Sequence, residues 1–404
     1  MGNIMEKFKK LGIENAPGQE KLQVGNLAEI RGDKLEGDAV DFSHGDVDAF
    51  KPIPGVFEAF ERGYNEGGKQ AYTEYRGRES IRKDLAKKIS NFTDSRVLPE
   101  KNIIITPGTQ GALFLAMGSM IDEGDKVAIV EPDYFANRKL VEFLNGKIVP
   151  IRMAYECSEN KSGIDLEQLE AAFRDGTKLF LFSNPNNPTG VIYSREEIIS
   201  IASLAKKYGA MLIVDELYSR LIYEEREYTH LCSLKEKPDN MITILGPSKT
   251  ESLSGFRLGV AFGSEEVIAR MEKLQAIVSL RAAGYSQAVL TEWFQEPEGY
   301  MKTRILEHQK IRDAIIEKLN KIDGVKVRKT EAGSYLFVEM PPMDVEIKNF
   351  CKALRELANV TVTPGTEFGP QFTNHFRINF SQDYEKAIHA IDRFIIVMDR
   401  YKKK

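Results

Sequence analysis

Cysteine is scarce. The 404 residues hold three, Cys157, Cys232 and Cys351, and they lie far apart. They make no even disulfide set and no metal-ligand spacing, so a reducing cytoplasm is expected and no metal site. No apolar run approaches the about 18 residues a membrane helix needs, which excludes a helical membrane span. The first residues carry charge with no apolar segment behind them, so no signal peptide is read. Basic excess is also missing: net charge is −4 and pI near 5.9. A general nucleic-acid binder would be basic, and the Lys-rich end Tyr401–Lys404 reads as a solvated tail. There is no internal repeat and no low-complexity linker. What remains is ordinary for a globular protein, with 42% hydrophobic and 29% charged residues. The length favours two domains.

Residues 1–40 are mixed and charged, with weak helical signals. Val40 begins a short strand. Helices are expected over 56–63 and 77–89. A repeated pattern then begins, in which a short, nearly all-apolar run is followed by a breaker and a helix. Strands are expected at 102–106, 126–130, 147–150, 178–182, 210–215, 241–245 and 260–263, with helices at 110–120, 138–144, 166–173 and 195–208. Strands that are apolar on both faces indicate a mostly parallel sheet between helices, an α/β architecture. Pro297 and Gly299 punctuate the chain, and a long helix over 300–321 connects to a second, α+β part. Its strands are read at 325–328, 334–339, 360–362 and 375–380, with helices at 345–357 and 384–401. The Val40 strand is expected to join it.

In such sheets ligands sit beyond the carboxyl ends of the strands. Chemistry therefore has to cluster just after each apolar run. Gly108-Thr109-Gln110 follows the first run and opens a helix, which suits a phosphate. Tyr134 follows the second and can stack on a ring. Ser183 to Gly190 follows the fourth, and Asn187 within it can donate to a ring oxygen. Asp215 ends the next run and can keep a ring nitrogen protonated; Tyr218 is a second donor to the ring oxygen. Ser248-Lys249 follows 241–245, with Arg257 eight positions on. Lys249 suits a Schiff base, and Ser248 and Arg257 add donors to a phosphate. Taken singly, each has a plainer reading: Lys249 a surface charge, Asp215 a helix cap, Tyr134 a core ring, Asn187 a turn residue. Their order, all at strand ends, favours the chemical one.

Asn184-Pro-Asn-Asn-Pro-Thr-Gly190, Val214-Asp-Glu-Leu-Tyr218, Ser248-Lys249 and Ser254-Gly-Phe-Arg-Leu-Gly259 resemble the class I/II aminotransferases of the pyridoxal-phosphate fold type I group. The resemblance spans about Val40 to Phe380. It implies a large cofactor domain over 52–300 with a seven-stranded sheet, and a small α+β domain from 1–51 and 301–404. It implies pyridoxal 5'-phosphate held by Lys249, amino-acid and 2-oxo-acid substrates, and a homodimer that shares its active sites. Further roles come with it. Arg377, in Phe376-Arg-Ile-Asn-Phe380, resembles the clamp on the substrate carboxylate, and a bidentate guanidinium suits that group. Tyr72 resembles a tyrosine that reaches the neighbour's phosphate. Gly45 resembles the glycine of the substrate loop, and Asn187-Pro188 a bond that is cis in the family. Arg281 lies roughly where dicarboxylate-specific members place an arginine from the partner.

Two departures stand out. Gly246 occupies a position that carries a hydroxyl in many members, which predicts one missing phosphate contact. The loop Ser43-His-Gly-Asp-Val-Asp48 lacks a proline after its glycine, so His44 is a candidate substrate contact. Transamination is the leading reading. An oxidase or hydroxylase, a β-lyase or a decarboxylase would use the same electron sink. A regulator built on this fold would carry a basic DNA-binding segment ahead of it, and Met1–Ala39 is not basic.

Overall fold

The computed structural model describes residues 2–11, 30–157 and 160–403. Thirteen strands follow in chain order: β1 (Val40–Asp41), β2 (Ile103–Pro107), β3 (Lys126–Glu131), β4 (Lys147–Arg152), β5 (Leu179–Ser183), β6 (Met211–Asp215), β7 (Met241–Leu245), β8 (Leu258–Gly263), β9 (Lys326–Val327), β10 (Tyr335–Glu339), β11 (Val360–Thr361), β12 (Thr363–Pro364) and β13 (His375–Asn379). Seven of them form one sheet in the order β2-β8-β7-β6-β5-β3-β4.

The apolar runs explain this sheet. Along β2, β3, β5 and β6, alternate side chains enter two different cores. Ile105, Val130, Phe182 and Val214 face one, and Ile104, Ile129, Leu181 and Ile213 face the other. A strand buried on both faces must be apolar throughout, and each such side chain contributes about 1.5–3 kcal/mol when fully buried. Helices Gly108–Met120, Leu166–Arg174, Arg195–Tyr208 and Glu265–Val278 cover the sheet. The third is closed by a capping box between Ser194 and Glu197, and ends on Gly209 in the left-handed region. Pairing is parallel throughout β7-β6-β5-β3-β4. Only β8 is reversed, antiparallel to both β2 and β7.

A separate core gathers Val40, Phe42 and Phe50 with Leu336, Val338, Phe376, Ile378 and Phe394, and with Leu221 and Tyr223. It is built on a four-stranded antiparallel sheet, β12-β13-β10-β9. Val40 does join the C-terminal part, but through its own small parallel sheet, where it pairs with Val360. The helix Tyr300–Leu319 leads from one core to the other.

Two features differ from the sequence reading. A 14-residue helix, Glu265–Val278, occupies a stretch where none was expected. The cis bonds are Glu131–Pro132 and Asn184–Pro185, so Asn187–Pro188 is trans. Of residues 1–40, Gly2–Leu11 is helical, and 12–29 lie outside the described residues, as does Lys404 of the basic tail.

Candidate active site

β2, β7 and the parallel strands end at one edge of the sheet, and β8 begins there. This edge holds the polar residues. After β2 the chain turns at Gly108 with φ +77°, a left-handed conformation cheap only for glycine, and the helix Gly108–Met120 begins. The amides of Gly108, Thr109 and Gln110 are thus first-turn donors. Arg257 lies against them: its Nη2 is 2.6 Å from the place a Cβ on Gly108 would take. Gly259 has no room for a side chain either, since a Cβ would fall 2.4 Å from the Thr109 nitrogen. Arg257 is itself left-handed, φ +54°, and its Nη1 donates to the Ser254 carbonyl at 3.0 Å. The Ser248 hydroxyl is buried and has no partner. A guanidinium, first-turn helix amides and an orphaned hydroxyl together make an anion cradle.

Gly246 proves not to be a simple loss. A Cβ there would fall 2.5 Å from Cγ2 of Thr109, so the Thr109 side chain already fills that space.

Asp215 ends β6. One carboxylate oxygen accepts from the Leu217 amide at 3.1 Å. Burial pushes this acid up to about 6, and the neighbouring Glu216 adds to the rise. Glu216 is fully buried and is held by His230 Nδ1 at 2.6 Å. Cationic partners stabilise an ionised buried carboxylate, and a protonated ring nitrogen is such a partner. Tyr134 passes its hydroxyl hydrogen to Gln110 Oε1 at 3.1 Å, which leaves the ring face to stack. The Tyr218 hydroxyl meets that of Tyr335 at 2.5 Å. Burial raises Tyr218 well above the usual phenol value. At Tyr335 burial also pushes upward, but the Arg377 guanidinium and Lys249 outweigh it and leave this phenol below its usual value. Tyr335 therefore feels both cations.

Arg377 is 2% exposed, on β13 opposite Phe337 of β10. Its Nη1 donates to Asn187 Oδ1 at 3.0 Å and its Nη2 to the Ser43 carbonyl at 2.8 Å. The guanidinium lies 4.2 Å from the Tyr335 ring centre and 4.9 Å from that of Phe368. Its Nε has no partner. With Oδ1 of Asn187 taken, the amide NH2 is left to donate elsewhere. Gly45 packs on Ser381, with room for a Cβ only at 3.3 Å. The His44 side chain is exposed, and its Nε2 lies 3.4 Å from the Asp41 carboxylate.

Lys249 is half-buried on the loop after β7, and its side-chain amine makes no hydrogen bond or salt bridge among the described residues. Tyr72 is 79% exposed. Arg281 lies 5.2 Å from the ring centres of both Tyr72 and Tyr75 and donates to the Thr73 carbonyl. These residues stand on an outer face, apart from the strand ends.

Three residues in the site were given no role from the sequence. Asp133 accepts from the Ser183 hydroxyl and from the Ser183 amide, the latter at 3.2 Å, and the Ser183 oxygen accepts from the Asn187 amide at 3.1 Å. Asp133 and Ser183 thus seat Asn187; both follow apolar runs, where the strand-end rule gathers them without showing what they do. Tyr335 had no such signal. Outside the site, Glu156, Glu339 and His375 lie close enough to share a metal ion, but the Lys326 ammonium already stands 3.0 Å from Glu339. No described helix is long and apolar enough to cross a membrane.

Comparison with known proteins agrees with this geometry. The profile of the aminotransferase class I and II family matches residues 37–394. A crystal structure of an aspartate aminotransferase from Rhodobacter sphaeroides superposes with TM-score 0.94 at 55% identity, covering 99% of this chain and 100% of the other. The aspartate aminotransferase of Thermus thermophilus with maleate gives 0.80 at 28% identity, over 89% and 92%. A Thermotoga maritima aspartate aminotransferase is 30% identical over 357 residues, 88% of this chain and 90% of that protein. These relatives do not favour the oxidase, lyase or decarboxylase alternatives. The chain belongs to the aminotransferase class I and II family and is a transaminase.

Proposed function

We propose that this transaminase works with pyridoxal 5'-phosphate held covalently by Lys249, on aspartate or a similar acidic amino acid and a 2-oxo acid. The observation that carries the reading is one sheet edge bearing an anion cradle, a buried carboxylate and an unpaired lysine, which the Arg377 guanidinium of β13 meets at Asn187. The residues fit the cofactor. The orphaned Ser248 hydroxyl, Arg257 and the amides of Gly108 to Gln110 would hold its phosphate. Asp215 would face the ring nitrogen, Tyr134 the ring face, and Asn187 and Tyr218 the ring oxygen. When bound, this cofactor supplies an aldehyde carbon for amine exchange and a ring that takes up electrons from the substrate α-carbon.

The chain's own residues do the rest. Arg377 binds the substrate α-carboxylate through a planar, charge-assisted pair, and its unpartnered Nε is one donor left for it. That contact orients the α-hydrogen toward Lys249. The Lys249 amine would take the proton from the α-carbon and later return one on the same face. Asp215 keeps positive charge at the ring nitrogen throughout. The acidic substrate rests on the names of the relatives and on Arg281, which an assembled dimer would bring toward the neighbour's site together with Tyr72. The exposed apolar residues Tyr64, Tyr72, Ile277, Val278 and Leu280 support a homodimer through this face. The separate cores support a division into 52–300 and 1–51 with 301–404, with Leu221 and Tyr223 crossing into the second core and Phe337 and Phe368 into the first, and the cysteine usage supports a cytoplasmic setting.

Lys249→Ala tests the central claim. Both the visible absorbance of the cofactor-loaded protein and turnover are expected to vanish; retained turnover sinks the assignment. For the substrate, Arg281→Ala is expected to lower the rate with aspartate relative to alanine roughly tenfold, about the worth of one charge-assisted contact. An unchanged ratio removes the role of Arg281.

A further inference from the structure

Arg304 lies on the helix Tyr300–Leu319, 5% exposed, and no carboxylate pairs with it among the described residues. A buried charge without a counter-ion has to be satisfied by hydrogen bonds. Its acceptors come from separate segments. Nη1 donates to the Thr250 carbonyl at 3.2 Å and to the Ser252 hydroxyl at 2.8 Å. Nη2 donates to the Lys51 carbonyl and the Tyr300 hydroxyl, both at 2.6 Å. Its flat face covers the Phe50 ring at 5.1 Å.

At one end stands the turn that carries Lys249. The Ser252 amide donates to the Lys249 carbonyl at 3.2 Å, so the turn closes on the lysine itself. Ser252 has φ +59°, a conformation that costs a residue with a Cβ and persists only where the surroundings enforce it. The Arg304 bond to its hydroxyl is such an enforcement. At the other end stands the N-terminal segment. Phe50 stacks on His308 at 4.0 Å, and His308 Nε2 meets the Ser381 hydroxyl at 2.9 Å. The Asp46 amide donates to the Ser381 carbonyl at 2.7 Å, and the Ser43 carbonyl accepts from Arg377. One contiguous path therefore runs from Arg377 through residues 43–51 to Arg304, and on through Ser252 to Lys249.

We propose that Arg304 is a positioning residue for Lys249, coupling the turn that carries the amine to the N-terminal segment that Arg377 grips. The inference rests on the reading of Lys249 as the covalent anchor. A planar guanidinium can span these acceptors at once, and a lysine cannot.

The test uses the full-length, cofactor-loaded protein. In Arg304→Met, kcat is expected to fall about tenfold or more, the scale of a small misplacement of a reacting group. KM for the amino acid is expected to stay within about threefold. The pH midpoint of the visible band is expected to shift, with Arg304→Lys between the two. Hydrogen exchange, measured also without cofactor, is expected to quicken in 248–253 and in 43–51 together while β5 and β6 stay unchanged. A purely structural arginine would lower Tm and leave kcat per folded molecule and the band midpoint alone; that result overturns the proposal. So does exchange that quickens in one segment only. If Arg304→Met does not fold, Ser252→Ala decides: slower turnover with faster exchange in 43–51 supports the coupling, and no change in either overturns it. The Lys249→Ala absorbance tests the anchor separately, since exchange reads the coupling without chemistry.

Discussion

A methyl group on Gly246 would have to displace Cγ2 of Thr109, and that contact turns a departure from the family pattern into a fitted pair. Restoring a hydroxyl there is therefore expected to harm. Gly246→Ser should lose roughly 1–3 kcal/mol of cofactor binding or stability through overpacking. Adding Thr109→Ser, which removes the methyl and keeps a hydroxyl, should recover most of it. Titration of the cofactor-free protein with cofactor, followed by fluorescence, measures both. Single residues were legible in the sequence where a rule places them. Asp215, Asn187, Ser248 and Arg257 follow apolar runs, and the strand-end rule reaches them. The pairing of His44 with Asp41 was not legible, because a loop's side-chain direction is set by partners that sequence order does not reveal. Tyr335 was missed because it arrives from β10, whose place beside Tyr218 depends on packing between the two parts of the chain.

Strand ends do not act alone. Asp133 after β3 and Ser183 at the end of β5 are tied across neighbouring strands, and Asn187 sits on that tie. Burial pushes Asp133 up to about 7, against a model-peptide carboxyl of 3.8, with Asp215 adding to the rise. The folded protein thus holds this proton where the unfolded chain has lost it. Such a group contributes stability below the unfolded value and loses it as pH rises from about 4 to about 7. The stability of Asp133→Asn relative to the parent is expected to improve over that window, by up to ~1.4 kcal/mol per pH unit, and to level off above it. Urea unfolding of the cofactor-free protein at several pH values checks the slope; parallel curves would refute it. Most elements were legible because apolar runs and breakers alternate so regularly. The helix Glu265–Val278 was not read, although Ser264 followed by Glu265 and Glu266 is a start signal, and the Ser264 side chain does cap it at 3.5 Å from the Val267 amide. Its weak amphipathic pattern concealed it: Val267, Ile268, Met271 and Gln275 are buried, while Ile277 and Val278 point outward.

Those outward side chains belong to the scale of the assembly. Ile277 is 82% exposed four residues before Arg281, which lies over the exposed Tyr72 ring. Ile277→Glu is expected to split the proposed dimer and to weaken cofactor binding at the same time, because each site would lose its neighbour's Tyr72. Tyr72→Phe should weaken cofactor binding about tenfold, one hydrogen bond to a charged group, with the dimer intact. Sedimentation beside cofactor titration separates the two effects, and a monomer that binds cofactor as tightly as the parent would remove the shared site. Architecture was legible at this scale because it follows from patterning, whereas the partner's contribution leaves only exposed apolar residues as its trace. The reversed strand β8 has a further consequence. Leu245 leaves the sheet and Leu258 re-enters it on the adjoining strand, so residues 246–257 form a hairpin whose two feet are hydrogen-bonded neighbours. The Lys249 amine and the Arg257 guanidinium are thus delivered by a single short excursion with fixed ends. Extra chain is cheap at Gly124 or Gly176, where even a Cβ meets nothing within 4 Å. New termini or inserted peptides belong at such turns, and the hairpin is the one stretch a circular permutant must carry unbroken.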